Sequence, residues 1–101
     1  MRLTEQEKNT IIRQIKQTLS DQLDFDVWLF GSRVDDALKG GDVDLCLIID
    51  EPIEKLFSIK LKLRPLIEEA IDLPVDLIMQ SKGQKLKLVT QKAIQTGIRL
   101  N

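Results

Sequence analysis

Two periodicities alternate along this chain, and the switches between them mark its elements. Between Thr4 and Leu19 the apolar residues Ile11, Ile12, Ile15 and Leu19 recur at helical spacing, and Thr4 with Glu7 three positions on has the form of a capping box. A first helix is expected there, followed by a polar, turn-like stretch from Ser20 to Asp26. Val27 to Phe30 is a short β-rich run that stops at Gly31-Ser32. Arg33 to Leu38 could form a short helical turn before Lys39-Gly40-Gly41 breaks it. Asp42 to Ile49 reads as a second strand, strongly apolar from Leu45 onward.

Asp50-Glu51-Pro52 has the acidic residues and proline that helix N-termini tolerate. The spacing predicts a second helix to about Ile71, turning Ile53, Leu56, Phe57, Leu61 and Leu63 inward. Pro65 is expected to kink it or split it in two, because proline removes an intrahelical donor. Asp72-Leu73-Pro74 ends it, and Val75 to Met79 is a third strand. Ser81 or a near neighbour opens a last helix through Leu86, Val89, Ala93 and Ile94, which Gly97 closes. Ile98-Arg99-Leu100 could add an edge strand. The order of elements predicts one α+β domain over residues 1–101, with a single small sheet and no internal repeat.

Composition narrows the chemistry. At 43% hydrophobic and 31% charged residues the chain suits a soluble globular domain. No apolar run approaches the ~20 residues of a membrane span, and the start lacks a signal peptide's apolar core. The lone Cys46 cannot form an internal disulfide, so a cytoplasmic home is expected, with the cysteine in a packing role. The chain has no histidine and no tyrosine. Ser-His and Cys-His catalysis and imidazole zinc sites are thereby excluded. Asp, Glu, Lys and Arg remain, and an oxygen-only ligand set selects hard cations such as magnesium or manganese. With 15 basic against 16 acidic residues there is no basic surplus to grip nucleic acid, and a small phosphorylated ligand fits better.

Three pieces carry the chemistry. Gly31-Ser32 follows a strand directly, where a sharp turn can aim free N–H groups and a hydroxyl at an anion. Asp42-Val43-Asp44 heads an apolar strand, so period-two geometry sets both carboxylates on one face, with Val43, Leu45, Leu47 and Ile49 on the other. Such a pair repels itself unless a cation neutralises it; a solvated strand end is the plain alternative. Asp76, inside Val75-Asp76-Leu77-Ile78-Met79, is costly to bury unpartnered. If its strand lies beside the second, it can join the same face, although a strand-end aspartate reaching water is equally open.

Together these pieces resemble the DNA polymerase β-like nucleotidyltransferase superfamily, and most of all its minimal nucleotidyltransferase (MNT) group. The phrase Trp28-Leu29-Phe30-Gly31-Ser32-Arg33, followed by Asp42-Val43-Asp44-Leu45, carries the likeness, which extends to Leu100. The resemblance implies a palm-like fold, a small mixed sheet with helices packed mainly on one face. It implies that Gly31 and Ser32 hold the triphosphate of ATP, with Arg33 as an accessory phosphate contact. Asp42, Asp44 and Asp76 would bind two Mg2+ ions (Mn2+ serving in their place), Asp76 acting also as the base. The implied reaction transfers a nucleoside monophosphate, AMP in the first instance, and releases pyrophosphate.

Larger members carry a second domain for the acceptor, whereas this chain ends at Asn101. Proteins it resembles are paired with a small helical HEPN protein, as antitoxin and toxin. Cys46, Ile48 and Ile78 continue the site face as apolar residues that want a cover, either that partner or a second copy. Lys82, Lys85 and Lys87 could add to the contact or form a solvated helix face. Asp35 and Asp36 place negative charge in the phosphate loop. They keep open an alternative: a catalytically weak nucleotide-binding module that neutralises a helical partner by covering it.

Overall fold

Alternation at period two decides which side of each strand faces the main core. The computed structural model describes residues 1–19, 24–35 and 41–101. Residues 20–23, within the expected turn, and 36–40, with Asp36, half of the expected helical turn and most of its breaker, lie outside the described residues. The elements are α1 (Glu5–Thr18), β1 (Phe25–Phe30), a 3-10 turn (Gly31–Val34), β2 (Val43–Ile49), α2 (Ile53–Ile71), β3 (Val75–Ser81), α3 (Leu88–Thr96) and β4 (Ile98–Arg99). The sheet order is β3-β2-β1-β4, with β2 and β3 parallel and β1 antiparallel to both β2 and β4.

The expected capping box starts α1: Glu7 N–H donates to Thr4 Oγ1 at 3.0 Å, and Thr4 N–H donates to Glu7 Oε1 at 2.9 Å. Ile11 and Ile15 are fully buried and meet α2 over the odd-numbered strand residues. Those are Val27 and Leu29, then Val43, Leu45, Leu47 and Ile49, then Val75, Leu77 and Met79.

In α2 the buried residues are Leu56, Leu63, Ile67 and Ile71. Three residues expected inside, Ile53, Phe57 and Leu61, are instead 57%, 69% and 59% exposed. Residues four apart advance about 40° round a helix, so this series swings off the line that Leu56 and Leu63 hold against the sheet. Nor does Pro65 divide the helix. Pro65 and Leu61 are both exposed, so the Leu61 carbonyl that loses its donor lies where water can replace it.

The other sheet face corrects a second expectation. Cys46 is fully buried and Ile48 is 7% exposed, because the chain's own α3 packs Ala93 and Ile94 on them beside Trp28, Phe30 and Ile78. No partner is needed to cover this face. Burial also pushes the Cys46 thiol up from its ordinary range, as suits a packing residue.

The helix α3 begins later than expected. Ser81 pairs with Ile49 as the last residue of β3, and its hydroxyl donates to the Glu51 carbonyl. Gln80, 2% exposed, holds the true start of α3. Its Oε1 accepts from Lys87 N–H and from the Thr90 hydroxyl, each at 3.1 Å, and its Nε2 donates to the Ser81 and Lys85 carbonyls. Lys87 Nζ donates to the Met79 carbonyl at 2.9 Å, while Lys82 and Lys85 are exposed. Among the described residues no helix is long and apolar enough to cross a membrane.

Candidate active site

Asp44 and Asp76 are Cα partners in the parallel ladder of β2 and β3, so both carboxylates stand on the same face. It is the face of α3, opposite the main core. Asp42 precedes β2 by one residue and is exposed; Asp44 is half-buried, and Asp76 is exposed. The Asp44 carboxyl is held above its ordinary range. Burial is the largest cause, followed by the charge of Asp76 and then that of Asp42. The three aspartates named from the sequence therefore share one electrostatic site.

On the other side, Phe30 of β1 is the antiparallel partner of Asp44, and the chain turns directly after it. Gly31 takes φ 77°, and a Cβ there would overlap the Asp44 carboxylate. Only glycine lets the loop backbone come this close to the acidic site. Gly41 likewise presses on Ser32 Oγ, where a Cβ would collide. Gly31 thus borders Asp44, and Ser32 lies against Gly41, the residue before Asp42. Arg33 is engaged elsewhere: Nη1 donates to the Arg2 carbonyl at 3.0 Å and Nη2 to the Gly41 carbonyl at 3.3 Å.

Sequence reasoning missed the clasp behind Asp76. Val75 N–H donates to Glu68 Oε2 at 2.8 Å, and Arg64 pairs with Glu68 Oε1 at 2.7 Å. The Val75 N–H, with the Arg64 guanidinium adding to it, holds the Glu68 carboxyl below its usual range. One further bond, Val43 N–H to the Pro74 carbonyl at 2.9 Å, ties the entry of β2 to that of β3. A glutamate near a helix end carries no signal of this role, since its partner is a backbone amide seven residues away.

Carboxylates together with phosphate oxygens are the ligands that a hard divalent cation takes. Among the described residues no three acidic side chains close into a cage that could hold an ion alone. Magnesium does not require one, because it keeps waters and takes one or two carboxylates plus phosphate oxygens. The charges of Asp76 and Asp42 acting on Asp44, with the Gly31 backbone close beside it, suit such an assembly. A separate pocket of about 260 Å³, lined by Ile53, Phe57, Lys60, Met79 and Lys87 among others, opens beside α2 and contains none of the aspartates.

Known proteins share this fold. The model of the nucleotidyltransferase domain matches residues 12–99. No curated sequence matches significantly. A chain in the structure of a mutant MntA toxin–antitoxin complex superposes with a TM-score of 0.72 at 18% identity, covering 93% of this chain and 72% of that one. A chain in a Shewanella oneidensis complex, a tri-AMPylated HEPN toxin with its MNT antitoxin, gives 0.69 at 20% identity over 97% and 72%. A further MntA–HepT toxin–antitoxin structure gives 0.64 at 18% identity, over 97% and 72%. At these identities the structures establish a shared fold. Since the family model covers nearly all of the chain, the protein belongs to the nucleotidyltransferase domain family.

Proposed function

We propose that this protein transfers AMP from ATP to a side chain of a small helical partner, with magnesium held by Asp42, Asp44 and Asp76. The observation that carries the proposal is the in-register pairing of Asp44 with Asp76 on one sheet face, with the Gly31 backbone close against the Asp44 carboxylate. Bound magnesium would offset the charge gathering on the α- and β-phosphate oxygens.

The chain's own residues supply the rest. The backbone at Gly31-Ser32, with the Ser32 hydroxyl, receives the triphosphate. Asp76, exposed at the rim, takes the proton of the acceptor hydroxyl. That oxygen bonds to the α-phosphorus as the bond from phosphorus to the bridging oxygen breaks, and pyrophosphate leaves with the bonding pair. Asp42 and Asp44 keep the site negative enough to require a cation, which makes turnover magnesium-dependent; manganese would substitute.

Support for the partner comes from the HEPN–MNT and MntA–HepT complexes that share this fold. A HEPN-type protein as acceptor, with this chain as the antitoxin, is the assignment we make. Incubation with labelled ATP, magnesium and the product of the neighbouring gene, followed by intact mass measurement, tests it. Added mass in steps of AMP on the partner is the expected result. An unmodified partner, bound tightly but never labelled, would replace transfer with neutralisation by binding.

A further inference from the structure

We propose that Arg33 is a positioning residue for Asp42, not a phosphate contact. The inference rests on the reading of Asp42 as a cation ligand. Asp42 lies outside any regular element, between the loop at Gly41 and the first residue of β2. A peptide unit is rigid, so holding the Gly41 carbonyl also fixes the amide of Asp42. Arg33 Nη2 holds that carbonyl. The next peptide unit is fixed by Val43 N–H on the Pro74 carbonyl. The Asp42 Cα is therefore suspended between two anchored planes, one of which the Arg33 guanidinium holds.

The same guanidinium is anchored from behind. Its Nη1 donates to the Arg2 carbonyl, and Arg2 N–H returns a bond to the Arg33 carbonyl at 2.7 Å. Arg33 Nε is buried and meets no acceptor among the described residues, so it is not offered to a ligand either. A fork bridging two carbonyls is a task for arginine; the single ammonium of lysine retains the charge but not the bridge. Charge and bridge can thus be separated by substitution.

The test compares Arg33→Lys and Arg33→Met. Trp28 is the chain's only tryptophan, and its strand partner Cys46 lies two residues from Asp44 on the same face. It can therefore sensitise Tb3+, used alone as a probe for hard oxygen ligands. Both variants should weaken Tb3+ binding by about tenfold, as loss of a supporting contact does. ATP affinity at saturating magnesium should stay near that of the parent. Exchange of the Val43 amide should be faster in both variants without any ligand, and if Arg33→Met unfolds, Arg33→Lys carries the comparison. A phosphate contact gives the opposite pattern, with ATP affinity retained by lysine, lost by methionine, and Tb3+ binding unchanged in both. That pattern, or unchanged Val43 exchange, overturns the proposal. Absence of any Tb3+ signal from the parent would instead remove the cation reading above, and the exchange measurement would still decide what Arg33 holds.

Discussion

Asp44 stands directly opposite Asp76 across the parallel ladder of β2 and β3, and no basic side chain forms an ion pair with either among the described residues. Folding brings these like charges together and partly buries one of them. Such an arrangement trades stability for a site, as functional carboxylates commonly do.

The first prediction concerns Asp44→Asn. Because the folded carboxyl titrates above its usual 3.8, its contribution to stability is complete below that value and is lost as pH rises through the raised one. The variant escapes that loss. Its thermal midpoint at neutral pH should rise by roughly 2–5 °C, while magnesium no longer tightens ATP binding. Calorimetry with and without magnesium reads both effects. A variant less stable than the parent would mean that the carboxylates do not strain the fold.

Glu68 should act in the opposite sense. Its carboxyl titrates below the usual 4.5, so its stabilisation is present above that value and disappears as pH falls through the lowered one. Glu68→Gln should therefore flatten the acid limb of a stability profile measured by denaturant titration from pH 3 to 7. If the clasp also sets the entry of β3, the variant should weaken cation binding at Asp76 without altering the far end of the sheet. An unchanged acid limb would count against the clasp.

Gly31→Ala separates strain from contact when compared with Gly83→Ala. Both glycines take positive φ, 77° and 82°, but a Cβ at Gly83 meets nothing within 4 Å. Each alanine should cost about 1–2 kcal/mol for its backbone. Only the Gly31 variant should also displace the Asp44 carboxylate and lose magnesium-dependent ATP binding. Equal binding by the two variants would show that the close approach is dispensable.

The apolar residues make a further distinction. Ile48→Asp should destabilise the fold by about 3–5 kcal/mol, because it buries a charge beneath α3. Phe57→Asp, at a position 69% exposed, should leave the thermal midpoint nearly unchanged. Thermal melts of the two variants settle the contrast.

The catalytic contrast rests on Asp42→Asn with Asp44→Asn. If the chain acts by the proposed transfer, the double variant should fold, transfer no nucleotide and lose protection against a toxic partner in cells, because the ligands of the metals that would meet transition-state charge are gone. Full protection at matched expression would favour neutralisation by binding.

The sequence by itself determined the elements whose signals are local. The Thr4–Glu7 capping box, the alternation in β2 and the glycine after Phe30 each act within a few residues, and the structure contains all three. Period-two geometry also settled that Asp44 lies opposite the core-facing Val43 and Leu45. Whether Asp76 joins it was open, because strand neighbours and register depend on contacts between distant segments. Tertiary structure decided that pairing, and it decided that α3 covers Cys46 and Ile48 where the sequence left an uncovered face. It also turned Phe57 outward, because the angle at which α2 meets the sheet is set by Leu56, Leu63 and Ile67 together. The holds of Arg33 on Gly41 and of Glu68 on Val75 are bonds from side chains to backbone groups. Every residue but proline offers the same N–H and C=O, so the partner leaves no trace in residue type and only the folded chain reveals it.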